Sequence, residues 1–278
     1  MELLSLDRVP QHSEWAGYLI DPNRDPPGDL DAYTDIDVYD TIYGHVLEHY
    51  RESDLDREAF TLETRAKGRE EPDVISIDET LYLASTKELV TKEKDAVREA
   101  LRSVLDGGET VVALGCGWGR NLGIITDSFP DVTVVVGEIA ERGVTISREL
   151  HADEDRISVE TFDFHDGWSI FDGHDDVVVF TCGALTTLEG VQSVIDRLVS
   201  RAEKQPIIGV HLEQTVPHPS DTVLGLLRRR YAEVRGFDTD LLPVLRAHPD
   251  VSVTHTEYDA IGANPLHPQT AVRWQPSR

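Results

Sequence analysis

The chain has 278 residues, 40% of them hydrophobic, and a formal net charge of −26. That length and apolar content suit one α/β domain with a sizeable core and a small appendage, and they exclude a disordered tail. No apolar run approaches the membrane-spanning length of about 18 residues, the N-terminus is too acidic for a signal peptide, and the charge disfavours bare nucleic acid, whose phosphates require Lys and Arg.

The 52 acids are spread along the whole chain, against 26 Lys and Arg of which five are Lys. Such a charge costs self-repulsion. A high-salt interior would screen it, with a Debye length of about 3 Å at 1 M. The distribution resembles a salt-adapted archaeal proteome, and we read the chain as cytoplasmic, with work at the inner membrane face through a partner left open. Cys116 and Cys182 imply neither a disulfide nor, by themselves, a zinc site.

In chain order, residues 1–95 lack β-α alternation. A Pro, Asp and Gly-rich loop over 20–35 precedes a run with helical spacing over 36–53 that carries Tyr39, Tyr43 and Tyr50. A second helix is predicted over 78–105, broken near Ser85 and Thr86. The first third thus reads as a mainly helical cap, residues 1–95, that would serve as a substrate region. Its tyrosines are expected mostly in the core, with one or two available to stack on a sugar.

Residues 96–278 change character. Apolar, β-branched runs at 110–114, 132–138, 157–163, 176–181 and 206–213 alternate with helical stretches, and runs at 251–259 and 270–276 close the chain with only a short link between them. Continuous apolar strands alternating with helices predict a parallel sheet covered on both faces. The short last link cannot hold a parallel crossover, so the seventh strand is expected to run antiparallel. The predicted fold is α/β, a Rossmann-like seven-stranded sheet with a reversed last strand.

The chemistry should lie beyond the carboxyl ends of these strands. The first leads into "GCGWGRN", in which Gly115, Gly117 and Gly119 permit a sharp turn and close approach of a ligand. Glu138 follows 19 residues after Gly119, at the end of the second strand. An acid at about that spacing accepts hydrogen bonds from a ribose diol; it can also simply cap the next helix. Asp163 ends the third strand, where it is either an exposed turn residue or an acceptor for an adenine amino group beside Phe164.

"ALGCGWGRN", Glu138 and "DF" at 163–164 resemble the successive motifs of class I S-adenosylmethionine-dependent methyltransferases, as does the reversed last strand. Dinucleotide enzymes usually place the third glycine one position later, where this chain has Arg120. The resemblance implies that Gly115, Cys116, Gly117, Gly119 and Asn121 border the methionine part of the cofactor. It also implies that Glu138 meets the ribose, that Asp163 and Phe164 meet the adenine, and that Thr181 borders the transferred methyl. It departs at Ala113, where the family often has an acid that helps organise the cofactor ammonium. A narrower resemblance, through "GCGWGRNL", "GEIAERGV" and "NPLHPQTAVRWQP", is to methyltransferases of polysaccharide and glycan genes. It implies a sugar or glycan acceptor, lipid-linked or free, such as a hexuronic acid.

His211 and Glu213 alternate on the fifth strand, and His211 is the first candidate for a general base. Thr186 and Asn264 are candidates to orient substrate, against packing and turn roles, and Arg120 is a candidate cation for an anionic sugar or a partner for an acid. "RRR" at 228–230 is expected on a solvated helix face. His165 and His174 sit among acids, and no metal is expected. A nicotinamide-dependent oxidoreductase, a methyltransferase of small molecules or proteins, and a non-catalytic scaffold of the same fold remain as rival readings.

Overall fold

The computed structural model describes residues 1–21, 23–28, 30, 35–68, 71–215, 221–237 and 240–277. The alternating region forms a seven-stranded sheet from β4 (Thr110–Leu114), β5 (Thr133–Glu138), β6 (Ile157–Thr161), β7 (Val177–Cys182), β8 (Ile207–Gln214), β9 (Val251–Ile261) and β10 (Gln269–Pro276), in the order β6-β5-β4-β7-β8-β10-β9. β10 is antiparallel to both of its neighbours, while β6, β5, β4, β7 and β8 pair in parallel.

Alternate residues of β4 face opposite layers. Val111 and Ala113 pack with Val97 and Leu101 of α4 (Thr86–Arg102) and with Leu122 and Ile125 of α5 (Leu122–Ser128). Val112 and Leu114 join the cluster formed by Val194, Ile195 and Leu198 of α7 (Val191–Ala202) and Leu242 and Leu245 of α9 (Leu241–Ala247). Burial on both faces is the reason these strands read as unbroken apolar runs.

The first third is more mixed than a helical cap. It holds α1 (Glu14–Ile20), α2 (Ile36–Glu52) and α3 (Arg57–Ala66), and also a small sheet of β1 (Glu2–Leu3), β3 (Thr80–Ala84) and β2 (Asp73–Ile77). The helix predicted over 78–105 is therefore a strand and then a helix. The break falls at Ser85, whose side chain and Glu88 form a reciprocal capping box that starts α4. Residue 95 lies inside α4, which packs against both parts of the chain.

A buried ion pair sits where the two parts join, beside an apolar cluster of Val74 and Leu81 with Leu224, Tyr231 and Leu266. Arg228, on α8 (Val223–Arg235), is 1% exposed; it donates to Asp259 Oδ2 at 2.7 Å, to Ser76 Oγ at 3.1 Å and to the Pro265 carbonyl at 2.9 Å. Asp259, fully buried, also accepts from Ser76 Oγ at 2.7 Å and from the Glu79 N–H at 2.8 Å. One end of the β2–β3 hairpin is thus tied to the end of β9. This corrects the expectation for "RRR": Arg229 and Arg230 are exposed, but Arg228 is sealed inside because Asp259 waits there.

We expect Asp259→Ala to cost about 3–5 kcal/mol in urea denaturation, because it removes the buried counter-ion of Arg228 and leaves only the partly exposed Glu79 carboxylate at 3.9 Å. Adding Arg228→Met should recover a good part of that loss. A loss below about 0.5 kcal/mol, the range of ordinary surface changes, would show that the pair does not help fasten the two parts.

Candidate functional site

The end of β4 passes directly into the glycine turn. Gly115, Gly117 and Gly119 have φ of +65°, +58° and +83°, a region that side chains with a Cβ rarely adopt. Space forbids a Cβ as well: one at Gly115 would lie 2.5 Å from Ala184 Cβ, and one at Gly119 would lie 2.7 Å from Ser147 Oγ.

Glu138 holds this turn in place. It is 5% exposed at the end of β5; Oε2 accepts from the Gly117 N–H at 2.7 Å and Oε1 from the Ala140 N–H at 2.9 Å. Burial raises its pKa, and the backbone donors oppose that shift. Ser147, on α6 (Glu141–Leu150), donates to the Gly117 carbonyl at 3.1 Å. His151 Nε2 lies 2.9 Å from the Gly119 carbonyl, while Arg57, which can only donate, meets Nδ1 at 3.4 Å. The Nε2 proton is therefore the one donated to Gly119. Cys116 is packed into the turn, its Sγ 3.5 Å from the Gly117 carbonyl and 3.6 Å from Ser147 Oγ, and burial raises its thiol pKa.

The side walls come from the ends of β6 and β7. β6 stops at Thr161, two residues before its predicted end, and Asp163 lies in the following turn, where Oδ1 accepts from the His165 N–H at 2.8 Å. Phe164 stands against Gly115: a Cβ there would be 3.6 Å from Phe164 Cε2. Phe164 thus flanks the same turn as Glu138, with Asp163 next to it in the chain. Arg197 of α7 donates to the Phe164 and His165 carbonyls and staples this loop to the body of the domain.

His211 is level with the end of β4, near the carboxyl edge as expected, but it does not open onto the site. Its side chain is fully buried, and the Trp274 Nε1–H donates to Nε2 at 2.9 Å. Indole nitrogen only donates, so Nδ1 carries the proton and donates to Thr181 Oγ1 at 2.8 Å. Thr181 passes the chain on to Glu213. Glu213, also fully buried, accepts from the Ala184 N–H at 3.0 Å, the Leu185 N–H at 3.1 Å and Thr186 Oγ1 at 3.1 Å. Burial raises the Glu213 pKa against these donors. His211, Thr181, Glu213 and Thr186 are thereby committed to one internal network that fixes residues 183–187 beside Gly115. Period-2 alternation put His211 and Glu213 on one face, as the pattern implies, but that face is interior.

Arg120 and Asn121 sit at the start of α5, where they line a cleft of about 900 Å³ between α3, α4, α5 and the end of α6. Arg120 is paired: Nη1 meets Glu93 Oε2 at 2.9 Å, and Arg65 meets the same carboxylate at 3.3 Å. Asn264 lies elsewhere, on the β9–β10 connection, where Oδ1 caps the Leu266 N–H at 3.0 Å and Nδ2 donates to Tyr231 Oη at 3.2 Å. Turn initiation is its observed role. Ala113 packs in the apolar layer with Leu122, Phe180 and Leu212, where a carboxylate would have no partner. Among the described residues, no three His, Cys, Asp or Glu side chains gather as a metal site, and no helix is long and apolar enough to cross a membrane.

One of the tyrosines expected in the core or against a sugar neighbours the turn instead. Tyr43 of α2 lies over it: a Cβ at Gly117 would be 2.8 Å from Tyr43 Oη. The available signal was Gly143. A glycine inside a helix costs about 1 kcal/mol relative to Ala and marks a close approach.

No protein-family model matches the chain, and no curated protein matches it. Solved structures do. The complex between the Haloferax volcanii Trm112 methyltransferase activator and the putative methyltransferase matches at 14% identity and a TM-score of 0.50, over 69% of this chain and 92% of that one. The chain has the Rossmann-like methyltransferase fold. Magnesium protoporphyrin IX methyltransferase from Synechocystis PCC 6803 is similar at 15% identity and a TM-score of 0.47, over 69% of this chain and 87% of that one. Mitomycin 7-O-methyltransferase is similar at 17% identity and a TM-score of 0.48, over 69% of this chain but 56% of that one, so the match spans little more than half of that protein. Identities this low speak to the fold alone.

Burial lowers the His211 pKa from 6.5 to about 3. A depressed imidazole pKa contributes stability above the unfolded value, and that stability is lost as pH falls from about 6.5 towards 3, by up to about 1.4 kcal/mol per pH unit. The ring resonances of His211 should therefore not titrate between pH 8 and pH 5 in NMR. A midpoint near 6.5 would mean that the ring is open to solvent.

Proposed function

We propose that the protein is an S-adenosylmethionine-dependent methyltransferase. Its acceptor is a sugar of a surface glycan or glycolipid precursor, methylated at a hydroxyl or at a hexuronic acid carboxylate. The observation that carries this reading is the left-handed glycine turn braced by Glu138. It stands where the chain, having built β5 and β6 on one side of β4, crosses to β7 on the other. Ligands of open α/β sheets bind at that switch point.

The residues present fit the cofactor. An ionised carboxylate offers about four lone-pair sites; Glu138 gives three to the N–H groups of Gly117, Ile139 and Ala140, which leaves capacity for a ribose hydroxyl. Asp163 Oδ1 is engaged by its own turn, and Oδ2 has no hydrogen bond among the described residues, so it is available to an adenine amino group. The three glycines are required by the turn's own packing, since a Cβ at Gly115, Gly117 or Gly119 would run into Ala184, Tyr43 or Ser147. Ala113 supplies no anion, so the ammonium falls to another carboxylate or to backbone carbonyls.

When bound, S-adenosylmethionine supplies an electrophilic methyl group for an in-line displacement. The chain's task is alignment and charge. Residues 183–187, held by Glu213, would form the wall beside the methyl. Arg120, braced by Glu93, would face an anionic acceptor. His211 and Glu213 are spent on internal hydrogen bonds, so neither offers a base; a carboxylate acceptor, already ionised at neutral pH, asks for none. Residues 1–95 form the proposed substrate region. The proposed setting is the cytoplasm of a salt-adapted cell, at the inner membrane face if the acceptor is lipid-linked.

Calorimetric titration in molar salt should show binding of S-adenosylhomocysteine and none of NADH. Glu138→Ala should weaken the former more than tenfold, as expected for a buried charged acceptor. Binding of NADH alone would instead support the oxidoreductase reading, and binding of neither a scaffold. For the acceptor, glycans of a deletion strain should lack a methyl group, about 14 mass units on one sugar (a CH₂ increment, as in any methylation); an unchanged glycan would overturn the glycan assignment.

A further inference from the structure

The N-terminal region meets the turn through Phe60 of α3, packed edge-on against Trp118 with ring centroids 5.9 Å apart, and through Tyr43 of α2, which lies over Gly117. α2 is laid across the start of α6, where Asp40 accepts from the Arg142 N–H at 2.8 Å and pairs with Arg142 Nη1 at 3.2 Å. Farther along, Arg51 donates to Glu149 Oε2 at 3.0 Å, and Tyr50 Oη donates to the Glu149 carbonyl at 3.5 Å. Gly44 lets the helices come this close, since a Cβ there would be 2.8 Å from Arg142 Cδ.

These contacts aim Tyr43 at the glycine turn. A single Cβ at Gly143 would touch both Tyr43 Cδ2 and Glu138 Cγ at 2.9 Å, so the phenol and the carboxylate stand side by side over that glycine. At Gly117 the closest atom to an added Cβ is the phenol oxygen. The Tyr43 hydroxyl makes no hydrogen bond among the described residues, whereas Glu138 is engaged by three backbone donors. A largely buried hydroxyl with an open valence, set beside a carboxylate with spare acceptor capacity, is what a vicinal diol needs: one acceptor and one adaptable donor or acceptor. Burial and the Glu138 charge both raise the phenol pKa, so the proton stays on.

We propose that Tyr43 is a cofactor-binding residue supplied by the N-terminal region, its hydroxyl completing the ribose site that Glu138 begins. This rests on the methyltransferase reading above. It also gives the N-terminal region a duty beyond the acceptor: without α2 the nucleoside site is missing one wall.

The test is a double comparison of wild type and Tyr43→Phe, titrated with S-adenosylhomocysteine and with its 2′,3′-dideoxy analogue. Tyr43→Phe keeps the ring that fills the space over Gly117 and Gly143, so its thermal midpoint should match wild type. One hydrogen bond corresponds to about three- to tenfold in affinity. We expect that loss for S-adenosylhomocysteine and none for the dideoxy analogue, which has no hydroxyls to lose. Equal loss on both ligands would mark Tyr43 as a packing residue and overturn the assignment, as would no loss on either. If wild type itself fails to bind, the methyltransferase reading falls first and this one with it.

Discussion

Everything at the site hangs on one hydrogen bond, from the Gly117 N–H to the buried Glu138 carboxylate at 2.7 Å. It joins the end of β4 to the end of β5, and the second carboxylate oxygen holds the Ala140 N–H where α6 begins. A buried carboxylate is costly unless donors meet it, and here the donors are backbone groups that the turn has left unpaired. The three left-handed glycines and the Ser147 contact belong to a turn pulled tight against that carboxylate.

A second buried polar chain sets the opposite wall. Trp274, His211, Thr181 and Glu213 pass a hydrogen bond from β10 through β8 and β7 to the loop at 183–187. Fully satisfied networks of this kind specify one arrangement, because each unpaired member would be expensive in a low dielectric. The reversed β10 is what brings Trp274 opposite Gly209, where only a glycine leaves room for the indole. The antiparallel last strand thus fixes the loop beside the glycine turn, although no atom of β10 needs to touch a ligand.

Much of this was legible in advance. The seven strands of the sheet fall within a residue or two of their predicted places, and the reversal of the last follows from the length of its connection. Glycine spacing and Glu138 located the turn, because a tight turn at a strand end has few solutions. The β2–β3 hairpin was not legible. Its two-residue turn is Asp78–Glu79, with φ of +47° and +59°, where hairpins ordinarily use Asn or Gly. The conformation is held by Asp259, which accepts from the Glu79 N–H, and by its carbonyl, which accepts from the Asp78 N–H. Those contacts span 180 residues or more, beyond any local pattern.

Local pattern therefore settled what depends on neighbours in the chain: strand against helix, the parallel sheet, the glycine turn, and the acid at the end of β5. Folding settled what depends on which groups meet. Arg228 is buried rather than solvated because Asp259 offers a counter-ion. His211 is core rather than base because Trp274 and Thr181 occupy both ring nitrogens. Tyr43 stands over Gly117 because α2 is pinned to α6. A side chain's type states what it is able to do; its partners, distant in sequence, decide which of those abilities is left to use.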